Sequence, residues 1–230
     1  TGHYAKIEKG EDGKYILRAS EAVKKDQSYV LYNFTQEQLA HTLMPLGGYN
    51  KDWVRQKAEE LGLGVAHKPD SQEICFVEDD DYAKFITDYS GYKPKEGDIL
   101  DVNGNVIGKH RGLIYYTIGQ RKGIGAYGRP MFVMKIDAEN NTITLGEKGM
   151  EFSNELTAYD VNFVSGEFPK ENMLITAKVR YQAPPAAAML CPQKDGTVKL
   201  MFPEPQRAVT PGQAVVFYDG DIVLGGGTVL

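Results

Sequence analysis

Apolar positions along the chain change period once, near residue 96, and that change divides it into a helical part and a strand-rich part. In the first part Thr35-Gln36-Glu37-Gln38 has the form of a capping box: the threonine side chain can accept from an orphan helix amide while Gln38 reaches back. A helix is predicted to follow through Leu39 and Leu43. A second begins after Asn50, keeps Val54, Ala58 and Leu61 on one face and stops at Gly62, which can take the left-handed conformation at no steric cost. The third carries Tyr82, Phe85, Ile86 and Tyr89 at the i, i+3, i+4, i+7 spacing of one helix face, and Gly91 and Pro94 close it.

From about residue 96 the runs become short, β-branched or alternating, with turn residues between them, which predicts several small antiparallel strands. Three hairpins are legible. Asn103-Gly104 lies between Ile99-Leu100-Asp101-Val102 and Val106-Ile107; Asn140-Asn141 follows Phe132-Val133-Met134-Lys135-Ile136 and precedes Thr142-Ile143-Thr144-Leu145; Asp219-Gly220 joins Val215-Val216-Phe217-Tyr218 to Ile222-Val223-Leu224. Asn and Gly tolerate the positive φ of primed turns, so Asn103-Gly104 is expected to be one. The softer stretch from Glu151 to Glu155 divides two β units, each expected to be barrel-like. The expected organisation is α+β and multidomain, with divisions at 1–90, 91–155 and 156–230.

Composition changes this picture little. With 42% hydrophobic and 25% charged residues the chain can build ordinary packed cores. It holds no apolar run long enough to cross a bilayer and no secretory signal pattern, so a cytoplasmic location is expected. Two cysteines, Cys75 and Cys191, are too few for a disulfide framework or a zinc site. The four histidines, His3, His41, His67 and His110, are scattered, so no metal is expected. No Gly-x-x-x-x-Gly-Lys-Ser/Thr or Ser-Gly-Gly-x-Asp-Ser loop is present to cradle a triphosphate. The abrupt start at Thr1-Gly2-His3-Tyr4, with no initiator methionine, leads us to expect that a preceding part is absent.

Charge is informative only in its distribution. Residues 1–90 hold 11 Lys/Arg against 16 Asp/Glu, which accounts for the whole net charge of −5. Within the balanced remainder, no acidic residue occurs between Asp101 and Asp137, whereas Lys109, Arg111, Arg121, Lys122, Arg129 and Lys135 do. Tyrosines 115, 116 and 127 and the run Gly119-Gln120-Arg121-Lys122-Gly123-Ile124-Gly125 interleave with them. Such a segment can meet phosphates through cations and backbone amides; a solvated loop between strands is the other reading. Cys75, between Ile74 and Phe76, reads either as a small buried hydrophobe or as a reactive thiol, which needs a setting that favours its thiolate.

Seven ordered segments give the chain a more specific resemblance: Thr1-Gly2-His3-Tyr4, Lys25-Asp26-Gln27-Ser28-Tyr29, Asp70-Ser71-Gln72-Glu73-Ile74-Cys75-Phe76, Tyr116-Thr117-Ile118-Gly119-Gln120-Arg121-Lys122-Gly123, Val179-Arg180-Tyr181, Thr210-Pro211-Gly212-Gln213 and Leu224-Gly225-Gly226-Gly227. Together they resemble the tRNA-specific 2-thiouridylases over essentially the whole chain. The resemblance implies a Rossmann-like ATP-pyrophosphatase domain, of which residues 1–90 would be the helical tail, followed by two small antiparallel β-barrel-like domains. It implies ATP, with Mg2+, as the activator of the uridine C2 oxygen, and a cysteine persulfide as the sulfur carrier. Cys75 matches the persulfide-bearing cysteine. The family's second cysteine, which can pair with the first in a disulfide, lies upstream and is missing here; Cys191 does not match it.

By the same match Gly2 corresponds to an ATP-contacting backbone position, where glycine allows close approach. His3, Lys25, Asp26 and Gln27 correspond to tRNA contacts near the target base, and Arg180, Tyr181 and Gln213 to tRNA contacts from the last barrel. The implied partners are a tRNA with a wobble uridine and a sulfur-donor relay protein or cysteine desulfurase, with the enzyme acting as a monomer. Without the pyrophosphate loop and the upstream cysteine, these residues alone are expected not to thiolate tRNA. The alternative is a non-enzymatic tRNA-binding module resembling translation-factor barrels, with Cys75 structural.

Overall fold

The computed structural model describes residues 1–22, 25–67, 77 and 81–230; Asp70 to Phe76, and so Cys75, lie outside the described residues. The chain forms two compact units, one of Thr1–Lys68, Asn154–Gln206 and Thr210–Leu230, the other of Pro69–Ser153 and Arg207–Val209.

The first unit corrects the expectation that its amino-terminal part is purely helical. Strands β1 (Ala5–Lys9) and β2 (Tyr15–Ala19) form an antiparallel hairpin there. The loop between them is held by the Asp12 carboxylate, which accepts from Lys14 N at 3.0 Å, and by Gly13 at φ 82°. Helix α1 (Gln36–Ala40) has the predicted capping box on Thr35 and Gln38, but it ends before Leu43, which is 82% exposed. Helix α2 (Lys51–Glu60) is capped by the Asn50 side chain, which accepts from Trp53 N. It contains no buried residue, so the Val54, Ala58 and Leu61 stripe does not become core.

Six strands close the barrel of this unit: β7 (Phe152–Phe163), β8 (Met173–Lys178), β9 (Ala186–Pro192), β10 (Val198–Arg207), β11 (Ala214–Asp219) and β12 (Ile222–Val229). Their order β12-β11-β8-β9-β10-β7 returns to β12 through the β12–β7 pairing. The period-two alternation expected of a barrel strand appears as buried Ile175 and Ala177 on β8, Ala188 and Leu190 on β9, and Val198, Leu200 and Phe202 on β10. Strand β11 is different, for Val215 to Tyr218 are all buried. Val216 and Tyr218 pack outward with Ala5, Leu17, Tyr29, Leu31, Leu39 and Met44, which leaves Val215 and Phe217 on the barrel side. A continuous apolar run is the mark of a strand covered on both faces.

Strand β12 explains why three glycines stand in a row. It pairs with β11 on one edge, and on the other with β7 from Gly225 to Val229 and with β2 at Ile222. A Cβ on Gly226 would lie 2.5 Å from the Tyr32 ring and 2.6 Å from Val215 O, and one on Gly225 would lie 2.1 Å from Asn162 O.

The second unit holds α3 (Tyr82–Ser90), capped by the Asp81 side chain and closed by Gly91 in the left-handed conformation, as expected. Its stripe is not buried either: Tyr89 is 85% exposed. The sheet has the order β4-β3-β6-β5, built from β3 (Gly97–Leu100), β4 (Val106–His110), β5 (Met131–Asp137) and β6 (Thr142–Glu147). The hairpins β3–β4 and β5–β6 form as predicted, but β3 and β6 run parallel, so this sheet is mixed rather than purely antiparallel. Short turns force antiparallel pairing only on the strands they join, and no short turn joins β3 to β6.

The Asn103-Gly104 turn also differs from expectation. Only Gly104 has positive φ, and the Asp101 carboxylate accepts from the amides of Asn103 and Asn105 at 2.9 and 2.8 Å, so a side chain organises a longer loop. The core of this unit gathers Ile99, Ile124, Met131, Val133, Ile143 and Leu145. Buried His110 fastens two segments, with Nδ1 accepting from Gly112 N at 3.1 Å and Nε2 facing Asn141 O at 3.0 Å.

The glycine strand supplies the first prediction. Gly226→Ala places a methyl group against backbone and ring, an overpacking that costs about 2–3 kcal/mol and lowers Tm by roughly 5–10 °C in scanning calorimetry. Gly48, with nothing within 4 Å of an added Cβ, is the control, and Gly48→Ala is expected to leave Tm nearly unchanged.

Candidate nucleic-acid interface

The residues after β2 are held by a carboxylate that has little left to offer a ligand. Asp26 Oδ1 accepts from Ser20 N at 2.9 Å and Ser28 N at 3.2 Å, and Oδ2 accepts from Ser28 Oγ at 2.7 Å. The next residue clamps the chain start: Gln27 N donates to Tyr4 O at 2.9 Å, and Tyr4 N donates to Gln27 Oε1 at 3.0 Å. Because a backbone N–H can only donate, the atom facing it must be the amide oxygen. The Gln27 Nε2 group is thereby aimed elsewhere, with no partner among the described residues.

Barrel residues meet this segment. The Tyr181 hydroxyl donates to Asp26 O at 3.2 Å, and its ring meets that of Tyr29 edge-on with centroids 5.8 Å apart. Lys178 Nζ lies 5.8 Å from both ring centroids, a separation at which a cation is drawn to the ring face. The Tyr29 hydroxyl donates to Ala214 O at 2.6 Å, which ties in the residue after exposed Gln213. The structure thus brings Asp26, Gln27, Tyr181 and the neighbour of Gln213 into one connected network within the first unit.

The remaining expected residues are attached less directly. His3 precedes the clamped Tyr4, and its Nδ1 lies 2.7 Å from Thr1 Oγ1. Lys25 lines a pocket of about 430 Å³ with Glu21, Asn50, Lys51, Asp52 and Arg55. Half-buried Arg180 follows Lys178 at the period-two spacing, and its carbonyl accepts from Ala183 N. Neither Lys178 nor Arg180 has a carboxylate partner among the described residues. Gly2 is exposed, and the nearest atom to an added Cβ is Leu46 Cδ1 at 3.9 Å. Its backbone is open to close approach.

Sequence reasoning missed Lys178, and it named Tyr4 and Tyr29 only within matching segments, with no supporting role. The spacing Lys178-x-Arg180 on a strand end was the available signal for the first. Cations beside a 44% exposed tyrosine make a surface that can hold phosphate and present a ring to a base.

Burial shapes two phenols beneath this surface. The Tyr29 phenol is pushed up to about 12 by burial and by the neighbouring Tyr32. Tyr218, whose hydroxyl lies 3.4 Å from Ser28 Oγ, is also pushed up to about 12, chiefly by burial; Asp26 and Tyr29 add to the rise against the Ser28 hydrogen bond.

Comparison with known proteins places these features in a family setting. Three models match in succession: the tRNA methyl transferase HUP domain over residues 1–79, the tRNA methyl transferase PRC-barrel domain over 83–147, and the aminomethyltransferase beta-barrel domain over 153–229. A tRNA-specific 2-thiouridylase MnmA of Acetivibrio thermocellus is 57% identical over 100% of this chain, and one of Clostridioides difficile is 54% identical over 100%. A third, from a Thermoanaerobacter species, is 53% identical over 100% of the chain. The chain spans 64% of the length of each of these relatives.

The two raised phenols give a pH prediction. A folded-state value above the unfolded value of about 10 means that the stabilisation is fully present below pH ~10 and is lost as pH rises through about 12. The urea midpoint is expected to hold up to pH ~10 and then fall. In a tyrosinate absorbance titration Tyr29 and Tyr218 should ionise late, and Tyr218→Phe should remove one late step.

Proposed function

This chain belongs to the tRNA-specific 2-thiouridylase family, and on that premise we propose that it is part of an enzyme that transfers sulfur to C2 of the wobble uridine of tRNA. The observation that carries the reading is the network joining Asp26 and Gln27 to Tyr181, with Lys178 and Arg180 beside it. Identity above 50% along the whole chain weighs more than the methyl-transfer wording of the domain descriptions, because it covers every segment at once.

In this reading Tyr181 stacks on RNA, Arg180, Lys178 and Lys25 meet phosphates, and Gln213, His3 and the Gln27 amide offer polar contacts. Asp26 acts as a positioning residue, since its carboxylate is spent on Ser20 and Ser28. Gly2 lies against ATP, which, with Mg2+, supplies the adenylyl group that makes the C2 oxygen a leaving group. Cys75 carries the sulfur as a persulfide whose terminal sulfur bonds to C2 as AMP departs with the oxygen. An upstream cysteine thiolate then attacks Cys75 Sγ, forming a disulfide and releasing the thiocarbonyl. Two steps with a polarizable nucleophile lower each barrier.

The reading assigns residues 1–90 to the catalytic domain, 91–155 to the central domain and 156–230 to the last barrel. It places the protein in the cytoplasm as a monomer, served by a cysteine desulfurase or a sulfur-relay protein. Among the described residues no helix is long and apolar enough to cross a membrane, and no metal-binding cluster occurs.

Intact-mass measurement of the full-length protein after incubation with a sulfur donor is expected to show one added sulfur atom, absent in Cys75→Ser. A folded protein that takes up none would instead support a tRNA-binding module with a structural Cys75, a role to which the closed six-stranded barrel is suited. The 230 residues alone contain no pyrophosphate loop and are expected to form no 2-thiouridine with ATP and donor; nucleoside analysis checks this.

A further inference from the structure

The acid-free segment lies in the second unit, and its cations are unevenly used. Lys109 pairs with Asp98 at 2.5 Å, Arg129 with Glu147 at 2.7 Å and Lys135 with Asp137 at 3.3 Å. The Arg111 guanidinium lies 4.0 Å from the centroid of the Tyr115 ring. Arg121 and Lys122 are exposed and have no carboxylate or ring partner among the described residues.

The loop that presents them is built rather than loose. Gln120 Oε1 accepts from Thr117 N at 2.8 Å, and its Nε2 donates to Tyr115 O at 3.3 Å and to Lys122 O at 2.9 Å, so one amide side chain ties the loop at three points. Gly119 N donates to Val133 O at 2.7 Å and Val133 N to Gln120 O at 3.0 Å, which fixes the loop to β5. Just beyond the cations, Gly123 turns the chain at φ 72°, and Ile124 is buried in the core of the unit. A pocket of about 340 Å³ opens beside Arg121, lined by Tyr127, Gly128 and Arg129 among others.

We propose that Arg121 and Lys122, held out by the Gln120 clamp, form a second RNA contact that grips backbone phosphates of the tRNA without reading bases. The inference rests on the tRNA reading above. Two cations fixed on a tied loop give up little backbone freedom on binding, and neither must leave a carboxylate to reach phosphate. The side chains offer charge and a planar fork, which suits phosphate oxygens.

The test is equilibrium binding of the full-length protein to an unmodified tRNA transcript over a salt series. The double variant Arg121→Gln/Lys122→Gln alters only exposed side chains, so Tm should stay constant. It is expected to weaken binding on the order of tenfold and to flatten the slope of log K against log salt by about 0.7–0.9 for each phosphate no longer neutralised. A single-stranded RNA of scrambled sequence should weaken in the same proportion. If the double variant binds tRNA with unchanged affinity and slope while Tyr181→Ala weakens it, the loop proposal fails alone. If the unmodified protein does not bind tRNA, the parent reading fails. Unchanged tRNA binding combined with abolished retention on poly-glutamate would overturn the RNA assignment in favour of an acidic protein partner.

Discussion

The first unit depends on one strand that must pair on both edges while an aromatic ring lies against it. Strand β12 closes the barrel to β7, continues the sheet to β11 and touches the β1–β2 hairpin at Ile222. With Val215 O and the Tyr32 ring both inside 2.7 Å of where a Gly226 side chain would start, the strand can be neither shifted nor decorated. Its neighbour β11 is then sealed on both faces, by the barrel interior on one and by the packing of Ala5, Leu17 and Leu39 on the other. Closure and the attachment of the amino-terminal layer are therefore a single packing problem, solved by removing three side chains.

The same packing places the candidate interface. Tyr218 on β11 reaches Ser28, Ser28 binds Asp26, and Asp26 receives the Tyr181 hydroxyl through its carbonyl. Tyr29 bridges the other way, to Ala214 and the Tyr181 ring. The rings and backbone of this network are fixed from beneath, while Lys178, Arg180 and Gln213 stand at its edge. In the proposed RNA contact such pre-organisation counts, because ordering flexible side chains on binding costs free energy.

Much of this was legible in the sequence where local chemistry decides structure. The Thr35 capping box, the Asn50 start, the Gly91 stop and the three hairpins each rest on a few adjacent residues. What was missed depends on distant partners. Ala5-Lys6-Ile7-Glu8-Lys9 does alternate, but five residues of alternation are too few to declare a strand before its partner is known. The stripes of α2 and α3 have helical period, and period reports the conformation without saying what covers the face. The parallel β3–β6 pair leaves no local mark at all. For the site, the resemblance pointed to Asp26 as a tRNA contact, and nothing local in the sequence shows the three donors from Ser20 and Ser28 that its carboxylate accepts from.

A chain of net charge −5 is a poor partner for a polyanion on its total charge alone, yet total charge is the wrong measure here. Exposed charges farther apart than about 8–10 Å are largely screened at physiological salt, so a phosphate responds to the charges beside it. The Asp26 carboxylate is enclosed by hydrogen-bond donors, and among the described residues no carboxylate is paired with Lys178, Arg180, Arg121 or Lys122. Acidic residues elsewhere can then disfavour unspecific adhesion of polyanions while leaving these cations without a carboxylate partner among the described residues. In the proposed reading each cationic position meets a phosphate through its own local charge, a form of selectivity that requires no base contact.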